Sequence, residues 1–194
     1  MENIKLFCVS LGCDKNLVDT EKMLGLLNGQ GIIFTDDETE ADVILINTCC
    51  FIGDAKEESV NTILEMARYK EEGNLKALLV AGCLAQRYKQ EILDEIPEVD
   101  AILGTTSYEE VATVLEQVLM GSSGIHLSCF RDLSQLPQVE ARRVVTTGGH
   151  YAFLKIAEGC DKRCTYCIIP YLRGPYRSVP IEQLVAEAGQ LAEA

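Results

Sequence analysis

The run Gly159-Cys160-Asp161-Lys162-Arg163-Cys164-Thr165-Tyr166-Cys167 sets three thiols at the spacing C-x3-C-x2-C. Such a loop holds three corners of an iron–sulfur cubane and leaves one iron without a protein ligand. A 4Fe-4S cluster that only transfers electrons takes four thiolates, so three from one loop reserve the last position for something exchangeable. S-adenosylmethionine, chelating through its amino and carboxylate groups, is the candidate for it. Zinc and simple redox cysteines stand beside this reading on spacing alone. Structural zinc closes with four tetrahedral ligands, and neither His126 nor His150 has a finger-like spacing from the loop; a distant fourth ligand is still compatible with it.

The elements that must carry this loop are legible on either side. Tyr151-Ala152-Phe153-Leu154-Lys155-Ile156 alternates like a strand feeding the loop, and an amphipathic helix is expected from about Pro180. One strand, one loop and one helix make a single βα unit, which cannot by itself bury both faces of a parallel sheet. The chain is therefore expected to be a fragment of a longer protein. Residues 1–120 read differently: strand-like apolar runs alternate with helical ones, the pattern of an α/β, doubly wound parallel-sheet domain. Strands are expected near Ile4 to Val9, Ile32 to Thr35, Val43 to Asn47, Ala77 to Ala81 and Ala101 to Leu103. Ser107-x-x-Glu110 reads as a capping box for a helix through Val111, Val114, Leu115 and Val118 that stops at Gly121. The helix after Gly53 presents Val60, Ile63, Leu64 and Ala67 on one face. Residues 121–150, polar and glycine-rich at both ends, read as a linker to a second domain covering 151–194.

Placed on these strands, three more cysteines become related. Cys13, Cys49 and Cys83 each follow a predicted strand, through Leu11-Gly12, Asn47-Thr48 and Gly82 respectively. Carboxyl ends of strands in an open parallel sheet share one edge, where ligands bind. Three thiols converging there again suit a cubane with one open iron, and Gly12 and Gly82 allow the backbone to approach closely. Cys8 lies inside a strand as a small buried hydrophobe. Cys50 abuts Cys49, so only one of the two can face a shared site, and Cys49 is chosen. Cys129 is assigned no role.

Composition bounds the remaining classes. Of the 194 residues 47% are hydrophobic, and nine cysteines, an odd number, suit reduced thiols and metal ligands better than disulfides. No basic, apolar leader opens the chain and no apolar run approaches membrane-spanning length, so a cytoplasmic location without membrane contact is expected. The net charge of -13 is uneven, with 9 Lys+Arg against 23 Asp+Glu in residues 1–120 and 8 against 7 beyond. Nucleic-acid binding rests on a basic footprint, so this segment is not expected to grip nucleic acid. A basic protein partner suits it better, and solubility alone also accounts for an acidic surface.

Four stretches together carry a specific resemblance. They are the segment Ser10-Leu11-Gly12-Cys13-Asp14-Lys15-Asn16 with its continuation to Glu21, then Asn47-Thr48-Cys49, then Gly82-Cys83-Leu84-Ala85-Gln86-Arg87-Tyr88, then His150-Tyr151-Ala152-Phe153-Leu154-Lys155-Ile156-Ala157-Glu158-Gly159-Cys160. In these the chain resembles the radical S-adenosylmethionine methylthiotransferase family over essentially its whole length, and more closely the branch that modifies a ribosomal-protein aspartate than the branch that modifies tRNA. The resemblance implies an N-terminal methylthiotransferase domain followed by the start of a radical-enzyme partial TIM barrel. It implies two 4Fe-4S clusters, on Cys160, Cys164 and Cys167 and on Cys13, Cys49 and Cys83, with Tyr166 packed near the adenine of S-adenosylmethionine. The implied reaction adds a methylthio group to the β-carbon of an aspartate in the twelfth small-subunit ribosomal protein, with an electron donor such as flavodoxin or ferredoxin. An unactivated C–H bond is not ionised by a side-chain base, so the resemblance implies homolytic cleavage and no catalytic acid or base is assigned. Arg177-Ser178-Val179-Pro180 departs from the family's Arg-Ser-Arg-Pro by one positive charge. Lacking most of the barrel, the 194 residues are not expected to turn over. A tRNA methylthiotransferase of the same family is the alternative among enzymes; an iron–sulfur carrier or electron-transfer module, and a zinc-stabilised flavodoxin-like binding module, are the readings from other classes.

Overall fold

A computed structural model describes residues 3–121, 126–139 and 142–193. Part of the expected linker, at 122–125 and 140–141, therefore lies outside the described residues. Strands β1 (Ile4–Ser10), β2 (Ile32–Phe34), β3 (Val43–Thr48), β4 (Ala77–Gly82), β5 (Ala101–Leu103) and β6 (Leu127–Cys129) form a parallel sheet in the order β2-β1-β3-β4-β5-β6. The connections are helices α1 (Asp14–Leu27), α2 (Gly53–Ala67), α3 (Tyr69–Glu72), α4 (Cys83–Tyr88), α5 (Gln90–Glu95) and α6 (Val111–Met120).

The apolar runs of β3 and β4 explain why this sheet is covered on both faces. Every residue of both strands is buried, as parallel strands under two helical layers must be. Side chains alternate across the pleat. Ile44, Ile46, Leu78 and Val80 join Ile63 and Met66 of α2, Leu84 of α4 and Ile92 of α5 in one core layer. Val43, Leu45 and Leu79 join Met23, Leu24 and Leu27 of α1 and Val111, Val114 and Leu115 of α6 in the other. The strand order reverses direction at β1, which pairs with both β2 and β3.

Four sequence expectations meet a different outcome. The stretch 121–150 is not linker throughout, because Leu127–Cys129 adds β6 to the sheet, pairing Leu103 with Cys129; three residues of mixed polarity gave no period to detect. Ser107 makes no side-chain cap to the following helix. Its hydroxyl instead accepts the Arg131 N–H at 2.8 Å, and a 3-10 turn at Tyr108–Glu110 leads into α6. Leu64 is exposed on α2. Residues 151–156 form no strand, since no neighbouring ladder is offered to them among the described residues. What forms is a short antiparallel ribbon of β7 (Ala157–Glu158) and β8 (Arg177–Ser178), with α7 (Ile169–Arg173) between them and α8 (Ile181–Glu193) after.

The segment bearing the cysteine loop is anchored in the first core. Leu172 of α7 is 1% exposed and belongs to the layer built on β3 and β4, and its carbonyl accepts the Thr105 hydroxyl at 2.6 Å. Leu172→Ala is expected to destabilise the chain by about 2–5 kcal/mol, the cost of a buried leucine truncation, read as a lower denaturant midpoint. An unchanged midpoint would show that α7 does not share this core.

Candidate functional site

The carboxyl ends of β1, β3 and β4 bring Cys13, Cys49 and Cys83 to one edge of the sheet, beside the reversal point between β1 and β3. At β1 the chain turns through Gly12, whose φ of +92° only glycine adopts freely. A Cβ there would lie 2.6 Å from the Cys49 Cβ and 2.9 Å from its Sγ. Gly12 thus gives the Cys49 side chain its place. Cys13 takes the N-cap position of α1 without capping it by its side chain, which is exposed. Cys49 is fixed through its backbone: its N–H donates to the Ser59 hydroxyl at 3.0 Å, and that hydroxyl donates to its carbonyl at 2.8 Å. Gly82, φ +93°, lies so close to β3 that a Cβ would stand 2.6 Å from the Thr48 carbonyl oxygen. Cys83 follows as the first residue of α4.

These thiols have unlike surroundings. Cys49 and Cys83 are buried and Cys13 is exposed, and burial pushes the Cys83 thiol up to about 11 against the opposing pull of Arg173. Cys50 is buried too, its Sγ donating to the Cys83 carbonyl at 3.2 Å, while Cys8 stays within β1 and packs against the core layer of α1 and α6. Among the described residues no group of three His, Cys, Asp or Glu side chains is arranged to hold a metal ion. The three thiols share an edge and do not meet at a point. A cubane binds each thiolate through a different iron, so its ligands stand apart around a bulky group. Two glycine turns that bring the backbone close, and a donor set of three thiols on three strand ends, fit such a group.

The second set is a compact loop after β7. Gly159 has φ +73°, and a Cβ would run into the Pro175 carbonyl. The Cys160 N–H donates to the Gly174 carbonyl at 3.1 Å, and the Cys167 N–H to the Cys164 carbonyl at 3.0 Å. Asp161 accepts the Tyr176 N–H at 2.9 Å. Cys164 is exposed, Cys160 and Cys167 are half-buried, and Tyr166 is 88% exposed. As at the sheet edge, the three thiols of this loop are not gathered at one point among the described residues. In Arg177-Ser178-Val179-Pro180, the Val179 N–H donates to the Ile156 carbonyl at 2.9 Å, a backbone role that any residue other than proline can fill.

Between the two sets lies a buried charge cluster that the motifs did not announce. The Arg173 guanidinium donates to Asp19 at 2.7 Å and Glu158 at 2.9 Å, and Lys155 pairs with Asp19 and, at 2.9 Å, with Glu158. Arg173 also donates to the Asn16 carboxamide oxygen. The one hint in the sequence is polar Asn16, Asp19 and Thr20 at helical spacing on a face of α1 that is otherwise apolar. A neighbouring cavity of about 450 Å³ is lined by Tyr108, Arg143, Lys155 and Glu158 among others, but by no cysteine.

Fold and site are those of an open parallel α/β domain with thiols gathered at its carboxyl edge and a separate three-cysteine loop docked beside them. The chain belongs to uncharacterized protein family UPF0004, whose model matches residues 5–104. It is similar to the ribosomal protein uS12 methylthiotransferase RimO of Lachnoclostridium phytofermentans, 63% identical over 190 residues, covering 98% of this chain and 42% of that protein. The proteins of the same name from Acetivibrio thermocellus and Clostridioides difficile are 51% identical over 192 residues and 49% over 191, covering 97% and 98% of this chain and 42% of each relative. The resemblance to the methylthiotransferase family drawn from the motifs is borne out. The chain spans about two-fifths of the length of these relatives.

Burial alone would raise the Glu158 carboxyl, yet Lys155 and Arg173 hold it down to about 2 from an ordinary 4.5. A carboxyl depressed on folding stabilises the chain above its unfolded value, and that stabilisation is lost as the pH falls through 4.5 toward 2. Glu158→Gln is therefore expected to cost about 3–5 kcal/mol at pH 7, as breaking a buried pair does, with the gap to wild type closing toward pH 2. Denaturant titrations across that range measure it. A gap independent of pH would remove Glu158 from the cluster.

Proposed function

We propose that this chain is the amino-terminal part of a radical S-adenosylmethionine methylthiotransferase that adds a methylthio group to the β-carbon of an aspartate of ribosomal protein uS12. The observation that carries this reading is the placement of two separate three-cysteine sets on one packed body, joined through α7. The names of the relatives support the same substrate. Cys160, Cys164 and Cys167 would hold one 4Fe-4S cluster and Cys13, Cys49 and Cys83 the other. When bound, such clusters supply an electron for homolytic cleavage of S-adenosylmethionine at one site and a place for sulfur at the other.

The chain's own residues do the positioning. Gly159 and the Gly174 carbonyl shape the loop around Cys160, and exposed Tyr166 is free to lie against an adenine. Leu172 and Arg173 seat the loop on the sheet edge. Residues 1–120 together with β6 then form the domain of the second cluster, the rest of 121–150 the connection and 151–194 the beginning of the radical-enzyme domain. An acidic first part suits a basic ribosomal protein better than the RNA of the tRNA-modifying branch. No helix among the described residues is long and apolar enough to cross a membrane, and a substrate of the ribosome suits a cytoplasmic enzyme with a flavodoxin-like or ferredoxin-like electron donor.

After anaerobic reconstitution with iron and sulfide, the chain is expected to hold about eight irons, two cubanes. Alanine at any one of the six cysteines removes about four and leaves the other cluster in place. Added S-adenosylmethionine changes the electron paramagnetic resonance spectrum only while Cys160, Cys164 and Cys167 are intact, whereas a carrier with closed clusters shows no change. A total of about four irons with all six cysteines present, or stoichiometric uptake of zinc instead, would end the two-cluster reading.

A further inference from the structure

We propose that Asn16 is the positioning residue that assembles the sheet-edge thiol set, gathering three strand ends around one buried carboxamide and tying them to Arg173. This rests on reading Cys13, Cys49 and Cys83 as one metal-holding set. The Asn16 side chain is fully buried. Its Nδ2 donates to the Leu11 carbonyl at 2.8 Å and to the Thr48 carbonyl at 2.9 Å. Those carbonyls lie just before Gly12-Cys13 and Cys49 in the chain. Its Oδ1 accepts from the Arg173 guanidinium and stands 3.9 Å from the Cys83 Sγ, within reach of a thiol donor. The Asn16 backbone carbonyl accepts the Asn47 Nδ2 at 2.8 Å.

A carboxamide offers two N–H donors and one acceptor oxygen. Here the two donors go to the ends of β1 and β3, and the oxygen faces β4 and α7. No other side chain of that size supplies both: aspartate keeps the oxygen and loses the donors, and leucine loses everything. The close approach at Gly12 belongs to the same arrangement, since a Cβ there would stand 3.3 Å from the Asn16 Nδ2 as well as against Cys49. Asn16 supplies no thiol to the set, so it acts through the cysteines it spaces. Arg173 extends this to the other set, because its side chain reaches Asn16 while the carbonyl of the next residue, Gly174, holds the Cys160 N–H.

The test uses Asn16→Asp, which keeps size and shape. In the metal-free chain, alkylation by iodoacetamide is followed cysteine by cysteine with mass spectrometry. Cys49 and Cys83 are expected to react about tenfold faster in the variant, while Cys8 and Cys129 keep their rates, because the opening is local. In a chain that also carries Cys160→Ala, Cys164→Ala and Cys167→Ala, so that only the sheet edge can take iron, Asn16→Asp is expected to lower bound iron from about four to below one per chain. Arg173→Lys, which keeps the charge and loses the forked contact, is expected to retain the iron and alter its electron paramagnetic resonance spectrum. Unchanged rates at Cys49 and Cys83 would overturn the proposal. An equal rise at all four cysteines would overturn it too, since Asn16 would then serve only the fold. An unaltered spectrum in Arg173→Lys would sever the link to α7. Should the parent with Asn16 take up no iron, the two-cluster reading fails, and the alkylation pattern still decides whether Asn16 spaces the thiols.

Discussion

Asp19 and Glu158 face Lys155 and Arg173 in a buried site, each residue less than a tenth exposed. Taking a charge out of water costs several kcal/mol, and only close, well-directed partners return it. Two acids against two bases leave the site neutral, so the four groups are stable together and costly in any smaller number. Asp19 belongs to α1, whereas its cations come from the segment around the cysteine loop. The position of that loop on the sheet is therefore set by charge pairing as much as by the burial of Leu172. Burial alone is non-directional; the forked Arg173 contacts supply a direction.

The two cysteine sets gain a common frame from this arrangement. One side of Arg173 meets Asp19, Glu158 and Asn16 at the sheet edge. Its backbone carbonyl accepts Arg177 at 3.0 Å, and the next carbonyl, of Gly174, accepts Cys160. Arg177 also donates to the Leu133 carbonyl, which brings the stretch after β6 into the same frame. A chain expected from its sequence to be two domains and a tether has Lys155, Glu158 and Arg173, where the two parts meet, among its buried residues.

What the sequence disclosed and what it hid follow from the range of each interaction. Continuous apolar runs at 43–46 and 77–81 declared β3 and β4, because a strand buried on both faces needs nothing but its own composition to be recognised. The thiols were equally legible, since strand, turn and cysteine follow one another within a few residues. β6 was hidden because Leu127–Cys129 is a strand only by virtue of lying beside β5. Residues 151–156 alternate as a strand should and yet join no strand ladder among the described residues, their Lys155 spent on Asp19 instead. Ser107 carried the right spacing for a cap and found a better partner in Arg131. Asn16 and Asp19 were in plain view within the first cysteine segment, but their meaning lies in contacts with residues 48, 83, 155, 158 and 173, which no local pattern encodes.

The sequence separation within the charge cluster has a consequence for the order of events at birth. Asp19 is 136 residues ahead of Lys155 and 154 ahead of Arg173. During synthesis from the amino end, the whole sheet emerges before either cation does, and an acid without its partners resists enclosure. Until α7 and its flanking segment are made, Asp19 has neither Lys155 nor Arg173 to pair with. The last element to join the first core is thus the one that follows the second set of cysteines in the chain.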